Sequence, residues 1–161
     1  MATEFVLSRR QPVPRPRDEV FGFFSNPANL ARITPPWLGF RMVTPPREMR
    51  EGLLIDYRIR PLGIPQRWRS AITLWDPPNR FVDEQVVGPY RSWHHLHEFL
   101  AVEGGTEIRD VVRYALPLGP LGRLAHALMV RRQLESIFAY RERVIRELFG
   151  GTDGRLVKGE A

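Results

Sequence analysis

Between residues 54 and 116 the chain carries five strand-length runs, and the breaks between them are too short for anything but antiparallel pairing. The runs span residues 54–60, 67–75, 80–87, 92–102 and 107–116. They are separated by 61–65 with a proline at each end, by Asp76-Pro77-Pro78-Asn79, by Gly88-Pro89 and by Gly104-Gly105, all of them turn formers. Parallel neighbours need a crossover of roughly a dozen residues, so the spacing predicts a meander. An earlier run, 4–13, reads as an opening strand that stops at Pro12 and Pro14, because proline has no N–H for a ladder. Met42-Val43 leads into the sheet proper.

Helical signals flank these strands. Pro16 suits a first helical turn, and Asp18 and Glu19 sit where the helix dipole favours acids. Val20, Phe21 and Phe24 supply its apolar face, and Asn26-Pro27 stops it. A second short helix over 28–33 ends before Pro35-Pro36. Residues 121–149 read as the longest helix, on the order of 40 Å at about 1.5 Å per residue. Ala127, Val130, Leu134, Ile137, Val144 and Leu148 recur at three- and four-residue steps, and Phe138 and Ile145 widen the stripe. Arg141 interrupts it. Gly150-Gly151 ends the helix. Residues 1–150 are therefore read as one domain and 151–161 as a disordered tail.

Charge and composition exclude more than they name. The 161 residues contain no cysteine, which removes disulfides, a thiolate nucleophile and cysteine-based zinc sites. No run is apolar for the roughly 18 residues that a membrane span requires, and the amino terminus lacks a signal pattern. Cytoplasm is the expected location. A net charge of +6 invites a nucleic-acid reading, but Lys158 is the only lysine and the arginines are scattered. Nucleic acid is a disfavoured partner.

The chemistry-bearing residues concentrate on two runs. In a strand, Trp93, His95, His97 and Phe99 share one face, and Asp110, Val112 and Tyr114 share a face of the next run. Ile55, Tyr57 and Ile59 share a face of 54–60, and Trp68, Ser70, Ile72 and Leu74 share a face of 67–75. On 80–87 alternation allows either Phe81, Asp83 and Gln85 or Val82, Glu84 and Val86 to point inward.

These residues also carry a resemblance. Asn29-Leu30, Ile33-Thr34-Pro35-Pro36-Trp37, Gly52 with Ile55-Asp56-Tyr57, and Trp68-Arg69-Ser70 occur in order. They are followed by Phe81-Val82-Asp83-Glu84-Gln85, Gly88-Pro89-Tyr90, Trp93, His95, His97, Phe99, Asp110, Val112, Tyr114 and Leu116-Pro117-Leu118-Gly119. Over roughly residues 3–149 the chain resembles the SRPBCC superfamily, the START and birch-pollen-allergen type with its polyketide cyclase/dehydrase-like members, in a bacterial ligand-binding branch. The resemblance implies an α+β helix-grip fold. A curved antiparallel sheet of about seven strands wraps a long carboxy-terminal helix, two short helices follow the first strand, and a cavity lies between sheet and helix. It does not choose a chemistry, because fold does not imply function. There is no dinucleotide fingerprint, and no cofactor is expected.

Several readings of the site stand side by side. His95 and His97, with Asp83 or Asp110 near, have ligand spacing for a metal, yet a polar pocket wall explains them as well and no metal is assigned. His95 or His97 against Asp110 or Asp83 could move a proton in a cyclisation or dehydration, or simply satisfy buried polar groups. Arg141 could pair with Asp83 or Asp110, bind an anionic ligand group, or snorkel to an edge. The expected ligand-binding set is Tyr57, Trp68, Ser70, Asp83, Trp93, His95, His97, Phe99, Asp110, Val112, Tyr114, Leu134, Phe138 and Arg141. Leu118–Gly122 and Leu62-Gly63-Ile64 are expected at the cavity rim. The expected function is binding or transport of a small apolar or amphipathic molecule by a monomer or homodimer. A cyclase/dehydratase-like enzyme using His95, His97 and Asp110, and an RNA- or ribosome-contacting protein, are the alternatives.

Overall fold

Proline and glycine turns cut the middle of the chain into strands that can only fold back on their predecessors. The computed structural model describes residues 2–45, 47–151 and 155–157, and shows the antiparallel meander that the short breaks imply. Its strands are β1 (Glu4–Val13), β2 (Arg41–Met42), β3 (Leu54–Ile59), β4 (Gln66–Asp76), β5 (Arg80–Val87), β6 (Ser92–Val102) and β7 (Gly105–Ala115). β2 to β7 pair in sequence order and β1 returns beside β7. Within the tail expected beyond residue 150, Arg155–Val157 forms β8 against the outer edge of β1. Residues 152–154 and 158–161 of that tail lie outside the described residues.

α1 (Arg17–Phe24) begins directly after Pro16 and buries Val20, Phe21 and Phe24. The second short helix expected over 28–33 is a 3-10 turn, Pro27–Ala31, begun by Asn26, whose Oδ1 accepts from the Ala28 N–H at 3.0 Å. The prolines on either side leave too little chain for an α-helical ladder.

The long helix starts two residues earlier than its periodicity suggests. α2 (Gly119–Ala125) passes through a π-helical turn, His126–Val130, into α3 (Arg131–Phe149). α3 buries Leu134, Phe138, Arg141 and Ile145, at steps of four, three and four. Ala127 and Leu148, expected on the stripe, are exposed. The wider π turn shifts the phase of everything before Arg131.

The expected inward face of β4 needs one correction. Asp83 of β5 pairs with Ile72 but Val82 pairs with Leu74, so Thr73 is bulged out of the ladder. An extra residue reverses the alternation beyond it. Leu74 therefore leaves the inner face, and Trp75 joins it, 5.8 Å from Phe81 and 5.3 Å from Phe21 ring to ring. The ambiguity on β5 resolves with Phe81 and Asp83 inward.

Candidate functional site

Three buried apolar clusters surround a cavity of about 440 Å³ between sheet and helix. β3 and β4 bring Tyr57, Trp68 and Ser70 to its wall, β5 and β6 bring Asp83, Trp93, His95 and His97, and α3 brings Leu134, Phe138 and Arg141. Four of the expected residues do not line it. Phe99, 1% exposed, lies at the far end of β6, packed on Phe21 and Phe24 of α1. Val112 is buried among Leu7, Leu134 and Phe138. Tyr114 is held away by its hydroxyl, 2.7 Å from Nε2 of His126 in the π turn. Asp110 stands behind the histidines and acts on the cavity through them. All four face inward, but the inner face is longer than the cavity, and α1 and α3 cover its ends.

Register assembles the polar end. Asp83 pairs with His95 across β5 and β6, and His97 pairs with Asp110 across β6 and β7. Each imidazole then reaches a carboxylate on the diagonal as well. His97 Nε2 lies 2.7 Å from Asp83 Oδ2 and its Nδ1 3.2 Å from Asp110 Oδ1. His95 Nε2 lies 2.9 Å from Asp110 Oδ1, with its Nδ1 3.7 Å from Asp83 Oδ2. From the helix side Arg141 donates to Asp110 Oδ1 at 3.0 Å, and its guanidinium stacks over Phe24 and Phe138. Phe81 stacks on the His97 ring at 4.2 Å.

The protonation states follow from this geometry. Burial pushes the His97 imidazole down, but hydrogen bonds to Asp110 and Asp83 and their negative charge outweigh it and hold it above the usual histidine value. Burial pushes His95 down too, a charged His97 adds to that, and the value falls to about 4 despite the Asp110 hydrogen bond. Burial works against the charge on both carboxylates. The His97 hydrogen bond nevertheless holds Asp83 below its usual range, and the Arg141 charge with both imidazoles holds Asp110 well below it. Below the raised His97 value, and above that of His95, the cluster carries two carboxylates, one guanidinium, one imidazolium and one neutral imidazole. Its charges cancel.

A metal fits this donor set poorly. Asp83, His95 and His97 offer ligand atoms within 4.8 Å of one another. His97 Nε2 and Asp83 Oδ2 already bond to one another, and Arg141 stands 3.4 Å from His97 Nδ1. A divalent cation would have to break the His97–Asp83 bond beside a guanidinium.

Other wall groups carry polar atoms as well. Trp68 Nε1 donates to Ser70 Oγ at 2.9 Å, which satisfies the indole. Burial and the Asp83 charge raise the Tyr57 phenol well above its usual value, so its hydroxyl stays protonated. Gln133 lines the cavity, and its buried Nε2 finds no hydrogen-bond partner among the described residues. Nothing in the sequence marks Gln133 beyond its place next to Leu134.

Comparison with known proteins agrees with this architecture. Residues 13–138 match the family model described as polyketide cyclase / dehydrase and lipid transport. No curated protein sequence matches significantly. Among solved structures, a Mycobacterium smegmatis protein is similar at 16% identity, covering 89% of both chains with a TM-score of 0.65. A point mutant of norcoclaurine synthase from Thalictrum, in complex with a transition-state analogue, is 12% identical over 92% of this chain and 98% of its own, with a TM-score of 0.66. Ara h 8.0201 is 14% identical over 90% and 99%, with a TM-score of 0.59. At such identities the likeness concerns the fold alone.

Proposed function

The chain belongs to the polyketide cyclase/dehydrase and lipid transport family, and from that premise we propose that it binds a small, largely apolar molecule whose neutral polar group meets the Asp83, His95, His97 and Arg141 end of the cavity. One observation carries the reading: an apolar, aromatic cavity of about 440 Å³ ends at a buried charge cluster. Sites of roughly 300–1,000 Å³ with a few convergent polar groups suit small organic ligands. Arg141 and His97 are already matched by Asp110 and Asp83, so neither cation is spare for a ligand carboxylate. A hydroxyl, phenol or carbonyl suits the cluster and the unpaired Gln133 donor.

Binding without chemistry suits the site better than proton transfer does. A general base works best with a pKa near the operating pH. His95 resists protonation down to about pH 4, and both His97 nitrogens face carboxylates. Native mass spectrometry of the purified chain, then denaturing analysis of whatever is released, tests the reading. The expected result is a stoichiometric, uncharged small molecule. Ligand-free protein that instead turns over a polyketide-like ketone, with loss of turnover in His95→Gln, would replace it with the cyclase/dehydratase alternative.

A further inference from the structure

The cavity opens at a mouth that exposes more apolar side chain than folding can use. Leu62 and Ile64, in the turn after β3, are 60% and 59% exposed, and Leu118 and Leu121, at the start of α2, are 74% and 68% exposed. All four line the cavity. The same helix carries Leu124, Leu128 and Met129 outward, so Leu121, Leu124 and Leu128 form one face at steps of three and four. Single exposed leucines are ordinary, but a cluster around one opening marks an interaction surface.

Two of these leucines also sit in an unfavourable backbone. Leu62 has φ 54° and ψ 31°, and Leu118 has φ 69° and ψ 22°. Glycine and asparagine occupy this left-handed region readily, whereas leucine does not. Neither side chain is buried in return.

Charge identifies the partner. Residues 57–75 and 111–134, which hold the two sides of the mouth, contain no aspartate or glutamate. Exposed Arg60 follows the strand that leads into the first side, and exposed Arg123, Arg131 and Arg132 lie on the helix of the second, while Arg58 and Arg67, also exposed, pair on the outer face of the sheet. Arg131 reaches Glu135 at 3.0 Å and Arg67 approaches Asp56 at 4.0 Å. Arg58, Arg60, Arg123 and Arg132 form no ion pair among the described residues. Apolar tips beside unpaired arginines and no acidic side chain match the boundary between acyl chains and anionic headgroups.

We propose that this mouth docks on the surface of an anionic phospholipid bilayer, so that the cavity opens directly against the membrane. A two-fold contact between copies through the same patch would bring its arginines near their own copies. A nucleic acid would have no use for the leucines. The docking depends on the mouth and not on what the cavity holds, so it stands apart from the ligand reading above.

Co-sedimentation of the full chain with phosphatidylcholine vesicles, with and without phosphatidylglycerol, tests it. Binding is expected only with phosphatidylglycerol and weakens as salt rises. L62N/L118N suits the left-handed backbone, so its melting temperature should hold or rise while vesicle binding falls about tenfold or more. R123Q/R132Q should lose binding by a similar factor, about tenfold, with folding unchanged. Absence of binding to anionic vesicles, or undiminished binding by L62N/L118N, overturns the proposal. So does a dimer in sedimentation equilibrium that L62N/L118N disperses while neither protein binds vesicles.

Discussion

Arg141 of the carboxy-terminal helix donates to Asp110 of β7 at 3.0 Å, and the same carboxylate oxygen lies 2.9 Å from His95 Nε2. One buried oxygen therefore joins the helix to the sheet. The cation that interrupts the apolar stripe of α3 is tolerated because its partner waits inside the sheet.

Arg141→Met should strand Asp110 as a buried, half-compensated charge. Breaking a buried pair from one side costs about 3–5 kcal/mol, whereas replacing both partners costs far less. Urea unfolding of Arg141→Met, Asp110→Asn and the double variant forms a mutant cycle. The double variant should be more stable than the sum of the single losses predicts. Strict additivity would mean that the two residues do not depend on one another.

The two histidines should give opposite pH dependences. His95 has a folded value of about 4, below its ordinary 6.5, so the unfolded chain binds more protons between them and stability rises with pH across that window. The effect is on the order of 3 kcal/mol. His97 is raised, so its contribution is full below about pH 6.5 and is lost as pH climbs through its folded value. Asp83 and Asp110 are lowered, so theirs is present above about pH 4 and lost as pH falls further. Melting temperature against pH should peak near pH 6 to 7. His97→Gln should flatten the alkaline limb, and His95→Gln the limb between pH 4 and 6.5. A profile unchanged by either variant would refute the assignment.

Gln133→Leu separates a structural role from a ligand contact. Its Nε2 is buried without a partner, so its removal should leave the free protein as stable or slightly more stable. Affinity for the ligand identified by mass spectrometry should fall by about tenfold, the worth of one hydrogen bond of about 1 kcal/mol or somewhat more. Calorimetric titration reads the second effect and thermal melting the first.

Zinc and EDTA should both leave the melting temperature unchanged. His97 Nε2 and Asp83 Oδ2 are committed to one another beside Arg141. A rise on adding zinc, abolished by His97→Gln, would show that the network opens for a metal.

Phe99 and Trp93 share one strand face, yet they should behave differently. Phe99→Ala removes a ring that is 1% exposed and should cost about 3–5 kcal/mol. Trp93→Ala removes a half-buried wall residue, so it should cost less stability and change ligand affinity more. Chemical unfolding paired with titration distinguishes them.

How far sequence reaches can be seen on particular residues. Trp93, His95, His97 and Phe99 do face inward together, because a two-residue period follows from backbone geometry alone. The meander likewise follows from breaks too short to permit crossovers. The inward assignment of Leu74 failed because bulging Thr73 costs the chain little and leaves no local mark. Phe99, Val112 and Tyr114 are inward yet outside the cavity, because α1 and the π turn decide how much of the face is covered.

What the sequence determined by itself was therefore periodic and local: the meander, most of the inward faces, the long helix and the misfit of Arg141 on its stripe. Only the tertiary structure decided register. That placed Asp83 beside His95 and Asp110 beside His97, and put Arg141 where it balances the cluster. Hydrogen-bonded ladders form at any register that satisfies N–H and C=O groups. The choice among registers rests on side-chain packing and charge pairing between segments far apart in the chain.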